Sequence, residues 1–329
     1  MVKRYFLTGA GFTHNFGAPL ANQMWALILS YVDGTQTPEL RQQLLDNFDF
    51  EDVYQQVMER DGDGAQRDAL GAAVEQAYRV VDEIVTDFKF VNGSRYPVNI
   101  YKVQKLIGAF ANNGGEPGYY FTLNQDLFVE RQHYNDPRPS IPGIQPRSEW
   151  FTTNFRQPLS PPLFCKLPSA AELERYKREP MRDRFCYIKL HGSCNWRDAA
   201  GSNRMVLGRG KSQYIEREPL LAWYLDIFKT ALGAGDARLL VAGYGFGDPH
   251  INAIIADAVS SANLRVFVLS PEQPSVFSEK LLRLERGREI WSGLGGYFQT
   301  TLAELFPANQ DETPEWLVIQ DRFFNRRIR

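Results

Sequence analysis

Ala237-Arg238-Leu239-Leu240-Val241-Ala242-Gly243-Tyr244-Gly245-Phe246-Gly247-Asp248-Pro249-His250 is the stretch on which the fold turns. Its first six residues are an almost unbroken apolar run, which suits a strand buried on both faces. Three glycines then break the run. Asp248 suits a helix N-cap and Pro249 the first helical turn. Helical spacing follows through Ile251, Ile254, Ile255 and Ala258, and a second apolar strand runs from Leu264 to Leu269. Strand, glycine-rich turn, helix and strand together predict a parallel sheet covered on both faces by helices.

The same grammar extends toward the N-terminus. Cys186 to Leu190 reads as a strand ending at His191-Gly192, and Tyr119 to Thr122 as another. Arg4 to Thr8 is a third, running into the tight turn Gly9-Ala10-Gly11. Between Pro19 and about Asn113 the chain is mainly helical, as the spacing of Met24, Trp25, Leu27 and Ile28 shows, and again Val74, Ala77, Tyr78, Val81, Ile84 and Val85. This block is too long for a crossover helix and predicts a helical insertion subdomain at about 20–113. Eight of the nineteen prolines lie from Pro137 to Pro168, predicting a long loop at about 135–170 with no sheet. The C-terminal part reads as helical, ending in Trp316 to Arg329. The expected fold class is therefore α/β: one domain over 1–329, with a Rossmann-like parallel sheet and a helical insertion.

Composition narrows the function. A net charge of −2 over 329 residues argues against broad electrostatic binding to nucleic acid or anionic membrane. The tail arginines Arg322, Arg326, Arg327 and Arg329 read as a solvated helix face or subunit contact. Three scattered cysteines, Cys165, Cys186 and Cys194, form no C-x-x-C pair and fit a reducing cytoplasm with no cysteine-rich metal site. The apolar run after Met1-Val2-Lys3-Arg4 stops at Gly9, too early for a secretion signal, and no stretch reaches the ~18 apolar residues of a membrane span. A soluble cytoplasmic protein without a metal is expected.

In open α/β sheets ligands bind beyond the carboxyl ends of the strands. Four polar or glycine-rich segments fall there: Gly9-Ala10-Gly11, Thr122-Leu123-Asn124-Gln125-Asp126, His191-Gly192-Ser193 and Gly243 to Asp248. The glycines of the first would let a pyrophosphate approach backbone amides closely. The dehydrogenase fingerprint is not met, because His14 stands at its third glycine and Asp33, at the spacing of its acid, ends a helical segment.

These residues together resemble the sirtuin superfamily, and more closely its bacterial sirtuin-like NADase branch, found in anti-phage defence. Gly9-Ala10-Gly11-Phe12-Thr13, with Gly17 and Pro19, is similar to the sirtuin loop that wraps the dinucleotide. Thr122 to Asp126 is similar to the Thr-x-Asn-x-Asp motif, and Leu190-His191-Gly192-Ser193 to the motif of the catalytic histidine. Gly243-Tyr244-Gly245-Phe246-Gly247-Asp248 resembles the late glycine-rich loop of the NADase branch. The chain lacks the four-cysteine zinc ribbon of the deacylases and has Leu20-Ala21-Asn22 where they carry Asp-Phe-Arg.

The resemblance implies NAD as substrate, cleaved to nicotinamide and ADP-ribose with water as acceptor. It implies Asn124, His191 and Asp126 as catalytic residues. Gly9, Ala10, Gly11, Phe12, Thr13, Thr122, Gly243, Tyr244, Gly245 and Asp248 would bind the dinucleotide. Asn124 would bond ribose hydroxyl and water, Asp126 would accept from the carboxamide, and His191, titrating near neutrality, would take a proton. It further implies a homo-oligomer and a HerA-type ATPase or other defence-system protein as partner. The rival readings are a non-catalytic NAD or ADP-ribose sensor and a protein deacylase. His14, His133 and His250 read as ordinary turn or helix-start residues, and Tyr119-Tyr120-Phe121 as strand core.

Overall fold

The computed structural model describes residues 2–60, 64–87, 98–113, 116–133, 136–144, 157–178, 185–308 and 312–325. Six parallel strands form its centre: β1 (Arg4–Thr8), β2 (Glu116–Thr122), β3 (Phe185–Lys189), β4 (Arg238–Ala242), β5 (Arg265–Ser270) and β6 (Leu294–Gln299). Their spatial order is β3-β2-β1-β4-β5-β6, the doubly wound order whose direction of winding reverses between β1 and β4. Thr8 is level with Thr122 and Ala242, and Thr122 with Lys189. Four strands thus end at one height, and their following loops share one rim.

Strand periodicity divides the core in two. Phe6, Tyr120, Tyr187, Leu240 and Phe267 face one side, where they share a core with the helices of the insertion. Those helices are α2 (Ala21–Tyr31), α3 (Pro38–Asp46), α4 (Phe50–Glu59), α5 (Gly64–Asp87) and α6 (Ile100–Gly108), joined on the same side by α1 (Ala10–His14), which directly follows β1. Ile28, Leu44, Val53, Val74 and Val103 are their buried contributions. Tyr5, Leu7, Phe121, Ile188, Leu239 and Val241 face the other side, against Leu221, Tyr224, Phe228, Ile251 and Ile255. The insertion is therefore one of the two layers that cover the sheet. Among the described residues no helix is long and apolar enough to cross a membrane.

Two expectations need correction. Leu294–Gln299 is a strand, not part of a helical C-terminal region. Gly295 and Gly296 hide its β signal, and they are there because a Cβ at either position would stand within 2.9 Å of the Phe267 ring. The proline-rich segment contains a two-residue strand, Cys165–Lys166, paired parallel with Trp196–Arg197. The last described turn, Gln320–Asn325, is π-helical. Arg322 in it is exposed, and Arg326, Arg327 and Arg329 lie outside the described residues, as does the middle of the proline-rich segment.

Candidate active site

A cavity of about 850 Å³ opens at the carboxyl ends of β1, β2, β3 and β4, in the upper part of the range typical of small-molecule and cofactor sites. All four predicted segments reach it: Gly9 to Thr13, Asn124 to Asp126, His191, and Gly243 to Asp248. Thr122 alone of the predicted site residues stays behind the wall. It is buried, and its hydroxyl oxygen accepts from Thr8 Oγ1 at 2.9 Å and from the Asn124 amide at 3.1 Å. The insertion supplies the facing wall through Met24, Glu51, Tyr78 and Val81.

Two of these loops pack on each other through their glycines. Gly9 N donates to Ala242 O at 3.1 Å and Gly11 N to Gly243 O at 2.9 Å, so these two amides already have protein partners. Gly243 has φ +67°, and a Cβ there would sit 2.0 Å from Phe12 N. The two loops touch backbone to backbone, and only glycine allows that approach. At Gly245 and Gly247 a Cβ would meet nothing within 4 Å. Between them Phe246 holds φ +57°, a conformation costly for an aromatic residue. Asn252 secures it, donating from Nδ2 to Phe246 O at 2.6 Å and accepting from Tyr244 Oη at 3.0 Å.

Asn124 is fixed by both hydrogens of its amide group. Nδ2 donates to Gly9 O at 3.1 Å and to Thr13 Oγ1 at 3.2 Å. Because Gly9 O can only accept, this end of the amide must be nitrogen. What Asn124 presents to a ligand is thus the acceptor Oδ1. Asp126 lies on the same loop, but its Oδ1 caps the next turn, accepting from Phe128 N at 2.9 Å. Burial raises its pKa, against the opposing pull of Lys189.

His191 is buried, and its Nε2 lies 3.1 Å from Nε2 of His250. One proton serves that contact, so one ring donates and the other accepts. Burial pushes the His191 pKa down from 6.5 to about 3, and His250 also shifts downward by burial. Both rings are neutral near pH 7, which corrects the expectation that His191 titrates near neutrality. Asp248 stands at the N-cap position of the helix Pro249–Ala262 but makes no side-chain cap bond. It instead accepts from Lys211 Nζ at 3.0 Å, while Lys211 also contacts Glu51 at 2.9 Å. Burial opposes the charge on Asp248, yet the imidazoles and the Lys211 ammonium hold its pKa below the ordinary carboxylate value.

A buried charged layer supports these loops. Lys189 ends β3 just before Leu190-His191; its Nζ donates to Asp126 O at 2.5 Å and to Glu130 at 2.9 Å. Arg131 forms a two-point pair with Asp82 of α5, at 2.9 and 2.5 Å. Tyr78, also on α5, donates to Gln125 Oε1 at 2.5 Å. The insertion therefore grips the Asn124 loop as well as walling the cavity.

Sequence reading missed Glu51, Tyr78, Lys211 and His250. Glu51 and Tyr78 sit on helices with nothing local to mark them, and Lys211 opens the helix Lys211–Arg217. His250 did carry a signal, since it stands two residues after a candidate site acid. His14 keeps its ordinary reading: its Nδ1 donates to Ala18 O at 2.8 Å.

No curated protein matches the chain. A sequence profile of the SIR2-like domain matches residues 118–290, which takes in the Asn124, His191 and Gly243–Asp248 segments and stops short of Gly9–Thr13. The fold brings that earlier loop against Gly243 and into the same cavity. The matched span covers more than half of the 329 residues, and the chain belongs to the SIR2-like domain family, whose members use NAD as substrate.

Proposed function

We propose that this protein is a cytoplasmic NAD+ glycohydrolase, converting NAD+ and water to nicotinamide, ADP-ribose and a proton. The observation that carries this reading is that Asn124 and His191, from two different strands, open on the one cavity at the reversal of the sheet. Nicotinamide leaves as a neutral base from a cationic pyridinium, so no strong acid catalyst is needed. Water adds at C1′ of the nicotinamide ribose as the C1′–N bond breaks, and the bond pair leaves with nicotinamide. Asn124 Oδ1 accepts from the ribose hydroxyl or the incoming water. The neutral His191–His250 pair relays the proton to solvent as it forms, because burial holds the His191 pKa near 3 and the ring does not keep a proton at neutral pH.

Water is the acceptor in this reading because three buried cysteines cannot make the four-cysteine ribbon of a deacylase. The resemblance to the defence branch supports a cellular role in NAD depletion against phage, restrained by self-assembly and by a partner such as a HerA-type ATPase. The purified chain, alone and with its genomic neighbour, is incubated with NAD+ and assayed for products. Equal release of nicotinamide and ADP-ribose is expected in at least one of these conditions, and intact NAD+ in both overturns the proposal.

A further inference from the structure

Among the described residues one group of three metal-capable side chains stands together. A ligand atom each from His191, Asp248 and His250 lies within 4.8 Å of the other two. None of the three is a cysteine, so the scattered cysteines have no bearing on this group. We propose that His191, Asp248 and His250 form a site for a divalent transition-metal ion of the zinc class, and that an ion there shuts off NAD cleavage. The shut-off, unlike the site itself, rests on the NAD-cleaving reading of His191.

The geometry carries the site. Two nitrogens on a tetrahedral ion, each about 2.05 Å from it, are separated by about 3.3 Å. The Nε2 atoms of His191 and His250 are already 3.1 Å apart. The proton now between them would move to Nδ1 of its own ring, freeing both Nε2 lone pairs without loss of a proton. Asp248 adds an oxygen, and the cavity adds room for a water or a small ligand as the fourth. Two imidazoles and one carboxylate suit a borderline ion better than magnesium or calcium, which prefer oxygen.

The ligands are also held in advance. Pro249, between Asp248 and His250, fixes the backbone. The Asp248 amide donates to Tyr244 Oη at 3.1 Å, and Asn252 N donates to Asp248 O at 3.0 Å. Lys211 is the competitor, since its ammonium occupies Asp248 Oδ1 at 3.0 Å. An ion would displace it toward Glu51, its second partner at 2.9 Å. Bound metal takes the Nε2 lone pair of His191 and leaves that ring unable to receive a proton.

Chelator-treated whole protein is titrated with Co²⁺ alone, and the visible absorption of the tetrahedral ion is followed, then displaced with Zn²⁺. One saturable Co²⁺ per chain is expected. Asp248→Asn and His250→Gln each weaken it at least about tenfold, whereas Lys211→Met tightens it by removing the competing cation. No absorption band, or a band indifferent to all three substitutions, overturns the site. Inhibition of NAD cleavage is expected at the same Co²⁺ midpoint, and undiminished cleavage by saturated protein overturns the shut-off. The expected binding pattern in a protein that never cleaves NAD retires the shut-off with the hydrolase reading and leaves the site standing.

Discussion

Lys189 and Glu130 meet at 2.9 Å with both side chains buried, directly under the loop that presents Asn124. Burial raises the pKa of Glu130, and Lys189 opposes that rise. Removing the lysine leaves a carboxyl group in the interior without its cation and takes the donor from Asp126 O. Lys189→Met should cost about 3–5 kcal/mol of stability, the usual result of breaking one side of a buried pair. Urea denaturation measures it, and a loss below about 1 kcal/mol would show that the pair does not hold the loop.

His191→Ala should lower NAD turnover by about 10²–10⁴ while leaving the protein folded. Product release per minute is read beside a thermal melt. Near-normal turnover in a folded variant removes His191 from the chemistry.

Asn124 offers a finer test because its amide is already oriented. Asn124→Ala should lower kcat more than it raises KM, since contacts to the reacting ribose tighten in the transition state. Asn124→Asp should in addition lose about 1–3 kcal/mol of stability, because an acceptor now faces Gly9 O. Equal stability of the two variants would contradict the hydrogen bonds to Gly9 and Thr13.

The buried His191 also predicts a pH dependence of stability. The unfolded chain takes up this proton below about 6.5, the native one only below about 3. Unfolding between those values binds a proton, so stability falls as pH drops from about 6.5 toward 3, and the effect is absent above 6.5. In metal-free protein, going from about pH 7.5 to about pH 5.5 should cost wild type about 1 kcal/mol more than His191→Gln. Parallel losses in the two proteins would mean that His191 titrates normally.

Two glycines of one loop should behave oppositely. Gly243→Ala forces a Cβ against Phe12 N at positive φ and should destabilise by more than about 1 kcal/mol. Gly245→Ala meets no atom within 4 Å and should leave the melting temperature unchanged. Its methyl enters the cavity wall, so KM for NAD should rise. A comparable melting loss in both variants would refute the contact between the loops.

Five of the six strands were legible because each is a short apolar run ending in a glycine or polar turn. The sixth was not, since Gly295 and Gly296 answer to the ring of Phe267 on a neighbouring strand, which no local pattern reports. Within the site, Asn124, Asp126 and His191 were legible as polar residues just past strand ends. Glu51, Tyr78 and Lys211 reach the cavity by tertiary folding alone. The protonation of His191 was misread for a related reason: its pKa depends on burial, and burial of a loop histidine is decided by what packs over it.

The backbone contact between the Gly9–Gly11 turn and Gly243 bears on how related sequences are to be read. These glycines are required for the two loops to close on each other, whether or not a dinucleotide ever enters. A descendant that lost catalysis while keeping the fold would be expected to retain them. Glycine signatures in such chains therefore report shared architecture, and loss of activity has to be looked for at Asn124 and His191.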